Sequence, residues 1–343
     1  MIIDFSNGTT RIEKALLFLF ATTAFFNGYN FIIYIYIYIM NLSEIPEIVK
    51  KEKILFGKNI ELNESLEVIS IFYKSDEKIV QSKSEVLVVQ SKSEVFDCRT
   101  KAHSALVVQG YILKKKILSN KVPVIIYCRG GNNSNKSAMF GEVSISSQIQ
   151  KKEFIYMAEN EKAIIFFPNY RGSSMSEGND EFGGGDVNDI INLYPIISKY
   201  KYCDNTKISL YGWSRGGMMA IIVATKVDWI KKIILGGTMY SMTRVTKERP
   251  NMKKMWEEVF HLTKADYKTR APKYLMDKIP KNISFLILHG SNDMAVNVSH
   301  TYSLGKKCQK NNLLYKLIIF PNGDHGLTEY SEDVMKEVII FLN

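Results

Sequence analysis

From Val122 onward the chain alternates short apolar runs with segments of helical length, and this alternation constrains its fold more than any other feature. The runs are Val122–Cys128, Ala163–Phe167, Ile208–Tyr211, Ile230–Leu235, Phe285–Leu288 and Tyr315–Phe320. Segments of helical length flank them at Ile145–Asn160, Asp186–Lys199, Gly216–Lys226, Ser299–Asn311 and Glu332–Leu342. Strands rich in Ile, Val and Leu along their whole length are buried on both faces, and helices between them are the crossovers of a mostly parallel sheet. The expected fold class is therefore α/β, a central sheet flanked by helices. In such sheets reacting groups gather beyond the carboxyl ends of the strands, so the loops after each run are where chemistry is expected.

One of those loops carries a motif. Ile208-Ser209-Leu210-Tyr211-Gly212-Trp213-Ser214-Arg215-Gly216-Gly217-Met218-Met219-Ala220 reads as a strand, a sharp turn and the start of a helix. Gly212 and Gly216 flank Ser214 at −2 and +2, which is G-x-S-x-G. A nucleophile elbow needs small residues there, because the serine is held in a strained conformation and neighbouring side chains would collide. The helix that follows aims its N-terminus at the serine and favours negative charge there. At ordinary Gly and Ser usage a chain this long yields about 0.1 such matches by chance. The competing reading is a glycine-rich structural turn.

A serine hydroxyl needs a base, and the base needs an orienting group. Strand Phe285–Leu288 ends in His289-Gly290-Ser291-Asn292-Asp293, and Tyr315–Phe320 ends in Pro321-Asn322-Gly323-Asp324-His325-Gly326. Asp293 and His325 thus fall in loops just past strand ends, at the rim where Ser214 is expected. His325 would take the Ser214 proton, and Asp293 would set its tautomer and stabilise the imidazolium. His289 ends a buried strand and reads as a packed core residue, while His103, His261 and His300 lack a turn context. Asp324 is the rival to Asp293, but adjacency to His325 makes it a poor orienter.

Donors for a developing oxyanion are also expected at strand ends. Val124–Cys128 runs into Arg129-Gly130-Gly131-Asn132, where a glycine pair lets backbone N–H groups approach a substrate oxygen. The second donor would be the Arg215 N–H, directly after the candidate nucleophile. Such a donor contributes about 3–4 kcal/mol of transition-state stabilisation. Arg129, Gly130 and Arg215 are thus the candidate oxyanion hole; the alternative for Gly130-Gly131 is a tight turn.

Taken together, these residues resemble the catalytic domain of the prolyl oligopeptidase family of serine peptidases, within the α/β-hydrolase fold. The resemblance rests on Gly212-Trp213-Ser214-Arg215-Gly216-Gly217, Pro168-Asn169-Tyr170-Arg171-Gly172-Ser173-Ser174, Gly185-Asp186-Val187-Asn188-Asp189, His289-Gly290-Ser291-Asn292-Asp293 and Gly323-Asp324-His325-Gly326. It covers about residues 105–343 and implies Ser214, Asp293 and His325 as a triad, with no cofactor. Two departures stand out. The family's peptidases usually carry a large β-propeller that screens substrates by size, and the 120 residues before the catalytic region are too few to build one. Arg129 stands where many members have a tyrosine whose phenol joins the oxyanion hole. Its guanidinium would donate in that place or bind a substrate carboxylate instead.

The expected organisation has three parts: residues 1–40, a β-rich lead-in over 41–120, and the catalytic domain over 121–343. A helical insertion over 238–282 carries Met239, Met242, Met252, Met255 and Met276 with Trp256 and Phe260. It reads equally as a cap lining an adaptable apolar pocket and as ordinary packing. Within the lead-in, Val80-Gln81-Ser82-Lys83-Ser84-Glu85-Val86 recurs at Val89–Val95, a local duplication too short for a solenoid. Asp186 and Asp189 open a helix and read as its cap and dipole partners.

Composition narrows the classes further. Hydrophobic residues at 46% and charged residues at 23% are ordinary globular values. Cys98, Cys128, Cys203 and Cys308 form no C-x-x-C pair, which excludes a sequence-local zinc ribbon. No His–carboxylate cluster has metal-ligand spacing, so no metal is expected. The formal net charge of +10 comes from scattered lysines without a nucleic-acid-binding signature, so a solvated surface is expected rather than a nucleic-acid partner.

Residues 15–40 are uncharged, with Arg11 and Lys14 just before them. They read as a signal peptide or membrane anchor, and would be the chain's contact with a membrane. Against this, Tyr34-Ile35-Tyr36-Ile37-Tyr38-Ile39 is what a plain TA repeat would encode, and Met40 follows directly, which reads as a false upstream start. The first reading implies a secreted or anchored protein, the second a cytoplasmic one.

The expected activity is cofactor-independent hydrolysis of an ester or amide carbonyl through an acyl-enzyme. Short peptides are the substrate class implied by the resemblance. A carboxylesterase acting on small acyl esters is the second hypothesis, and a catalytically idle binding protein with the same fold is the third.

Overall fold

The computed structural model describes residues 48–53, 64–75, 106–131 and 148–343. The segment 1–40, the repeat at 80–95, His103 and Asn132 lie outside the described residues. The described strands form one sheet in the order β1-β2-β3-β5-β4-β6-β7-β8-β9. They are β1 (Ile48–Lys53), β2 (Leu66–Ser75), β3 (Leu106–Lys115), β4 (Val122–Cys128), β5 (Ile164–Pro168), β6 (Cys203–Trp213), β7 (Ile230–Gly236), β8 (Ser284–Gly290) and β9 (Leu314–Phe320). From β5 to β9 every neighbouring pair is parallel. The lead-in strands β1, β2 and β3 join the same sheet as its antiparallel edge, β3 pairing with β5.

Helices follow in the order α1 (Lys152–Glu159), α2 (Asp186–Ile191), α3 (Tyr194–Lys199), α4 (Arg215–Ala224), α5 (Met242–Glu248), α6 (Pro250–Lys254), α7 (Lys264–Arg270), α8 (Pro272–Leu275), α9 (Ser299–Lys310) and α10 (Ser331–Leu342). A single helix is expected over 186–199. It is instead broken at Asn192–Leu193, and Pro195 lies in the first turn of α3, where its missing N–H costs nothing. None of the helices among the described residues is long and apolar enough to cross a membrane.

Side-chain alternation explains why the sheet is covered on both sides. Val124 and Ile126 of β4, Ile208 and Leu210 of β6, and Phe285 and Ile287 of β8 join one core with α4, whose ten residues are all buried. Ile125 and Tyr127, Tyr211 and Trp213, and Leu286 and Leu288 join the opposite core with Phe154 of α1 and Val338 of α10. Each fully buried aliphatic side chain stabilises by about 1.5–3 kcal/mol relative to exposure, so register is strongly specified. That register pairs Cys128 with Gly212, Trp213 with Gly236, Gly236 with Leu288, and Gly290 with Phe320. The carboxyl ends of β4, β6, β7, β8 and β9 therefore finish level, and their loops share one rim.

Candidate active site

Only Ser214 separates β6 from α4. Its backbone sits at φ 55°, ψ −119°, a region that costs a side-chain-bearing residue about 1–3 kcal/mol. The turn is held by the Ser214 N–H donating to the Gly236 carbonyl at 2.7 Å and by the Gly217 N–H donating to the Ser214 carbonyl at 3.1 Å. A Cβ on Gly212 would overlap the Gly216 carbonyl, and one on Gly216 would overlap the Cys128 carbonyl. The motif's glycines are therefore required by three backbones crossing at van der Waals distance.

His325 follows β9 and Asp293 follows β8, and the two meet across the rim. His325 Nδ1 lies 2.7 Å from Asp293 Oδ2. Asp293 Oδ1 accepts the N–H groups of Ala295 and Val296, each at 2.8 Å. Burial works against the Asp293 charge. Hydrogen bonds from His289 and His325, the charge on His325 and the Val296 N–H outweigh it and hold the carboxyl well below the usual carboxylate range. Asp324 is turned away, accepting the Thr328 N–H and hydroxyl at 2.9 Å.

His289 is buried, as expected of a core residue, but it is also part of this cluster. Its Nε2 lies 2.8 Å from the Val296 carbonyl and 3.0 Å from Asp293 Oδ2. A carbonyl needs a donor, so Nε2 carries the hydrogen. Nδ1 is then the acceptor for the Thr301 hydroxyl at 2.6 Å in the neutral ring. The sequence signal for this contact is the His289–Asp293 spacing of four past a strand end, which the core assignment passed over.

Beyond β4, Gly130 packs directly on the elbow: a Cβ there would lie 3.0 Å from the Trp213 carbonyl oxygen and 3.1 Å from Ser214 Cβ. The Arg215 N–H belongs to the first turn of α4, where N–H groups have no intrahelical acceptor. The side chain of Arg129 is directed elsewhere. Its guanidinium donates to the Asn169 carbonyl at 3.1 Å and Ser173 Oγ at 2.6 Å, and lies over the Tyr170 ring. It braces the loop after β5.

Asp186 and Asp189 do not cap α2. Asp189 pairs with Arg171 at 3.0 Å, and Asp186 pairs with Arg215, which also holds Asp180 at 2.6 Å. These ion pairs are buried, so a free helix cap was outcompeted by guanidinium groups that would otherwise be desolvated alone. Burial opposes the Arg215 charge, but Asp180 and Asp186 hold its pKa above the ordinary value.

Ser214 and His325 line one cavity of about 540 Å³. The Trp213 indole, on the same wall, donates to the His325 carbonyl at 2.9 Å. The methionines of the insertion divide: Met239 and Met252 line the cavity with Val245 and Val296, whereas Met242 and Met276 are fully buried core. Trp256 is buried against Phe182 and Tyr267. Met239 does both, lining the cavity while itself buried in the core.

Residues 147–343, more than half of the chain, match the model of the prolyl oligopeptidase family. The chain belongs to the prolyl oligopeptidase family. The resemblance read from its motifs is met. It is similar to the uncharacterized peptidase YtmA of Bacillus subtilis, 27% identical over 152 residues, which are 43% of this chain and 58% of that protein. It is also similar to dipeptidyl aminopeptidase B of Saccharomyces cerevisiae, 24% identical over 64% of this chain and 26% of that one. The chain thus spans from about a quarter to three-fifths of the length of these relatives. Among solved structures, the acylaminoacyl peptidase of Pyrococcus horikoshii superposes with a TM-score of 0.56 at 20% identity, covering 69% of this chain and 39% of that chain. A puromycin-hydrolyzing peptidase of Mycobacterium tuberculosis gives 0.57 at 14% identity, covering 85% and 50%. At these identities the superpositions show the shared α/β-hydrolase fold. In this member of the family, the cleft residues that the motifs do not mark include two cations, Lys151, on the wall beside Trp213, and Arg249, in the insertion.

Proposed function

We propose that the protein is a serine peptidase of this family that hydrolyses an acyl bond through an acyl-enzyme on Ser214. The observation that carries the proposal is the hydrogen bond between His325 Nδ1 and Asp293, in a loop cluster that shares a cavity with the strained Ser214. With Nδ1 donating to the carboxylate, Nε2 is the free base. Nε2 takes the Ser214 proton as Oγ adds to the carbonyl carbon, and Asp293 balances the imidazolium. The N–H groups of Gly130 and Arg215 receive the oxyanion, rather than the Arg129 guanidinium. His325 then protonates the leaving group, and a water activated by the same nitrogen releases the acid. The apolar wall of Met239, Val245, Met252 and Val296 suits an apolar acyl group next to the scissile bond.

A fluorophosphonate probe is expected to label the protein, and Ser214→Ala to abolish labelling; labelling that persists displaces Ser214 from the reaction. Aminoacyl-nitroanilides and nitrophenyl esters run side by side separate peptidase from esterase. Turnover of neither substrate, with no labelling, supports the idle binding protein.

A further inference from the structure

The charged side chains of arginine and lysine that line the cleft are Arg129, Lys151, Arg215 and Arg249, and no carboxylate side chain lines it among the described residues. Arg215 is matched by Asp180 and Asp186, and Arg129 is directed into the loop after β5. Arg249 holds the Ala295 carbonyl at 2.8 Å on the insertion side. Lys151 differs from all three: its ammonium lies 4.6 Å from the Trp213 ring centroid and 5.4 Å from that of Tyr127. Glu153, two residues along, is buried and accepts from the Tyr211 hydroxyl at 3.2 Å. Burial works against the Lys151 charge, but Tyr127 and Glu153 hold its pKa above the ordinary lysine value, so it is a cation at neutral pH.

The position of this cation relative to the reaction follows from Trp213. A leaving group is protonated by His325 and must depart on the histidine's side of the serine. The Trp213 indole is hydrogen-bonded to the His325 carbonyl, and Lys151 sits over that indole. Lys151 is therefore on the leaving-group side of the cleft. Resting on the hydrolase reading above, we propose that Lys151 receives a carboxylate carried by the leaving group. The favoured substrates are then short acylated peptides whose last residue, with its free α-carboxylate, is the one released. Water adds across the bond: the acyl carbon gains the hydroxyl, and the leaving nitrogen gains its proton from His325. A free substrate ammonium, by contrast, finds no carboxylate side chain among the described residues that line this cleft.

The test compares matched pairs in which only the leaving-group charge differs. Benzoyl-phenylalanyl-alanine is run against its C-terminal amide, and 4-acetoxybenzoate against 4-acetoxybenzamide. The acid is expected to exceed the amide in kcat/KM by about 10- to 100-fold, the range of a hydrogen bond between charged groups, and the ratio to shrink with added salt. Lys151→Met should bring the ratio close to one, and Lys151→Arg should retain it. Equal turnover of acid and amide by the wild-type protein overturns the inference without any variant. So does a preference that survives in Lys151→Met, or one lost only in Arg249→Met. Fluorophosphonate labelling of Ser214 requires no carboxylate. Labelling without an acid preference sinks this inference alone, whereas absence of labelling sinks the hydrolase reading beneath it.

Discussion

Asp293→Asn is the most informative single change, because the hydrogen-bond geometry around the carboxyl predicts what the amide must do. Oδ1 accepts two backbone N–H groups, from Ala295 and Val296, at 2.8 Å. Oδ2 faces His325 Nδ1 at 2.7 Å and His289 Nε2 at 3.0 Å. An asparagine has one oxygen and one NH₂. The backbone donors cannot turn, so placing NH₂ against them would leave buried donors unmatched at about 1–3 kcal/mol each. The amide oxygen therefore takes the backbone side and the NH₂ faces the histidines. His289 accommodates this, since its Nε2 hydrogen still has the Val296 carbonyl at 2.8 Å. His325 must instead accept at Nδ1, which puts its hydrogen on Nε2, the nitrogen proposed to take the Ser214 proton.

A protonated Nε2 cannot remove the serine proton. The same tautomeric error in a serine protease triad lowers kcat about 10⁴-fold, or about 5 kcal/mol of barrier, and a loss of that size is expected here. The assay is kcat for an activated ester together with the rate of fluorophosphonate labelling, both at neutral pH, on variant protein whose urea midpoint confirms folding. A folded Asp293→Asn protein retaining activity within tenfold of wild type would refute the orienting role. It would also show that His325 gets its tautomer from another partner.

Three further outcomes follow from the same geometry. Gly216→Ala should lower stability by about 3 kcal/mol or more, because the new methyl overlaps the Cys128 carbonyl in a close-packed crossing; an unchanged thermal midpoint would contradict this. Asp189→Ala, which leaves the fully buried Arg171 without its main carboxylate, should cost about 3–5 kcal/mol in urea unfolding; a loss below 1 kcal/mol would contradict it. The Asp293 carboxyl is depressed in the folded state. Its ionisation therefore stabilises the fold above the unfolded carboxylate value of about 3.9, and this contribution is lost as pH falls towards the lower folded value. The stability gap between wild type and Asp293→Asn should accordingly narrow between pH 5 and pH 2, and a gap constant across that range would count against the depressed pKa.

What the amino-acid order determined by itself is local or periodic. Six apolar runs separated by helical lengths argue for strands buried on both faces, which is how most of Val122–Cys128 and Ile230–Leu235 leaves water. Gly212 and Gly216 mark the elbow because a steric demand two residues either side of Ser214 is written in five positions of chain. His325 facing Asp293 rather than Asp324 was legible for a related reason: the two lie in loops just past the ends of different strands, and those loops share one rim. Other features were decided only by the fold, because they depend on which distant loops the sheet register brings level. Asp186 and Asp189 look like helix caps in sequence, yet buried Arg215 and Arg171 claim them. Arg129 looks available to substrate, yet Asn169 and Ser173, 40 and 44 residues further on, take its guanidinium. Lys151 looks like any other surface lysine, yet it lies against the indole beside Ser214. A charge seeks its partner through space, and at these sites the partner is 18 to 44 residues away in the ion pairs and hydrogen bonds of Arg171 and Arg129, where no local pattern reaches.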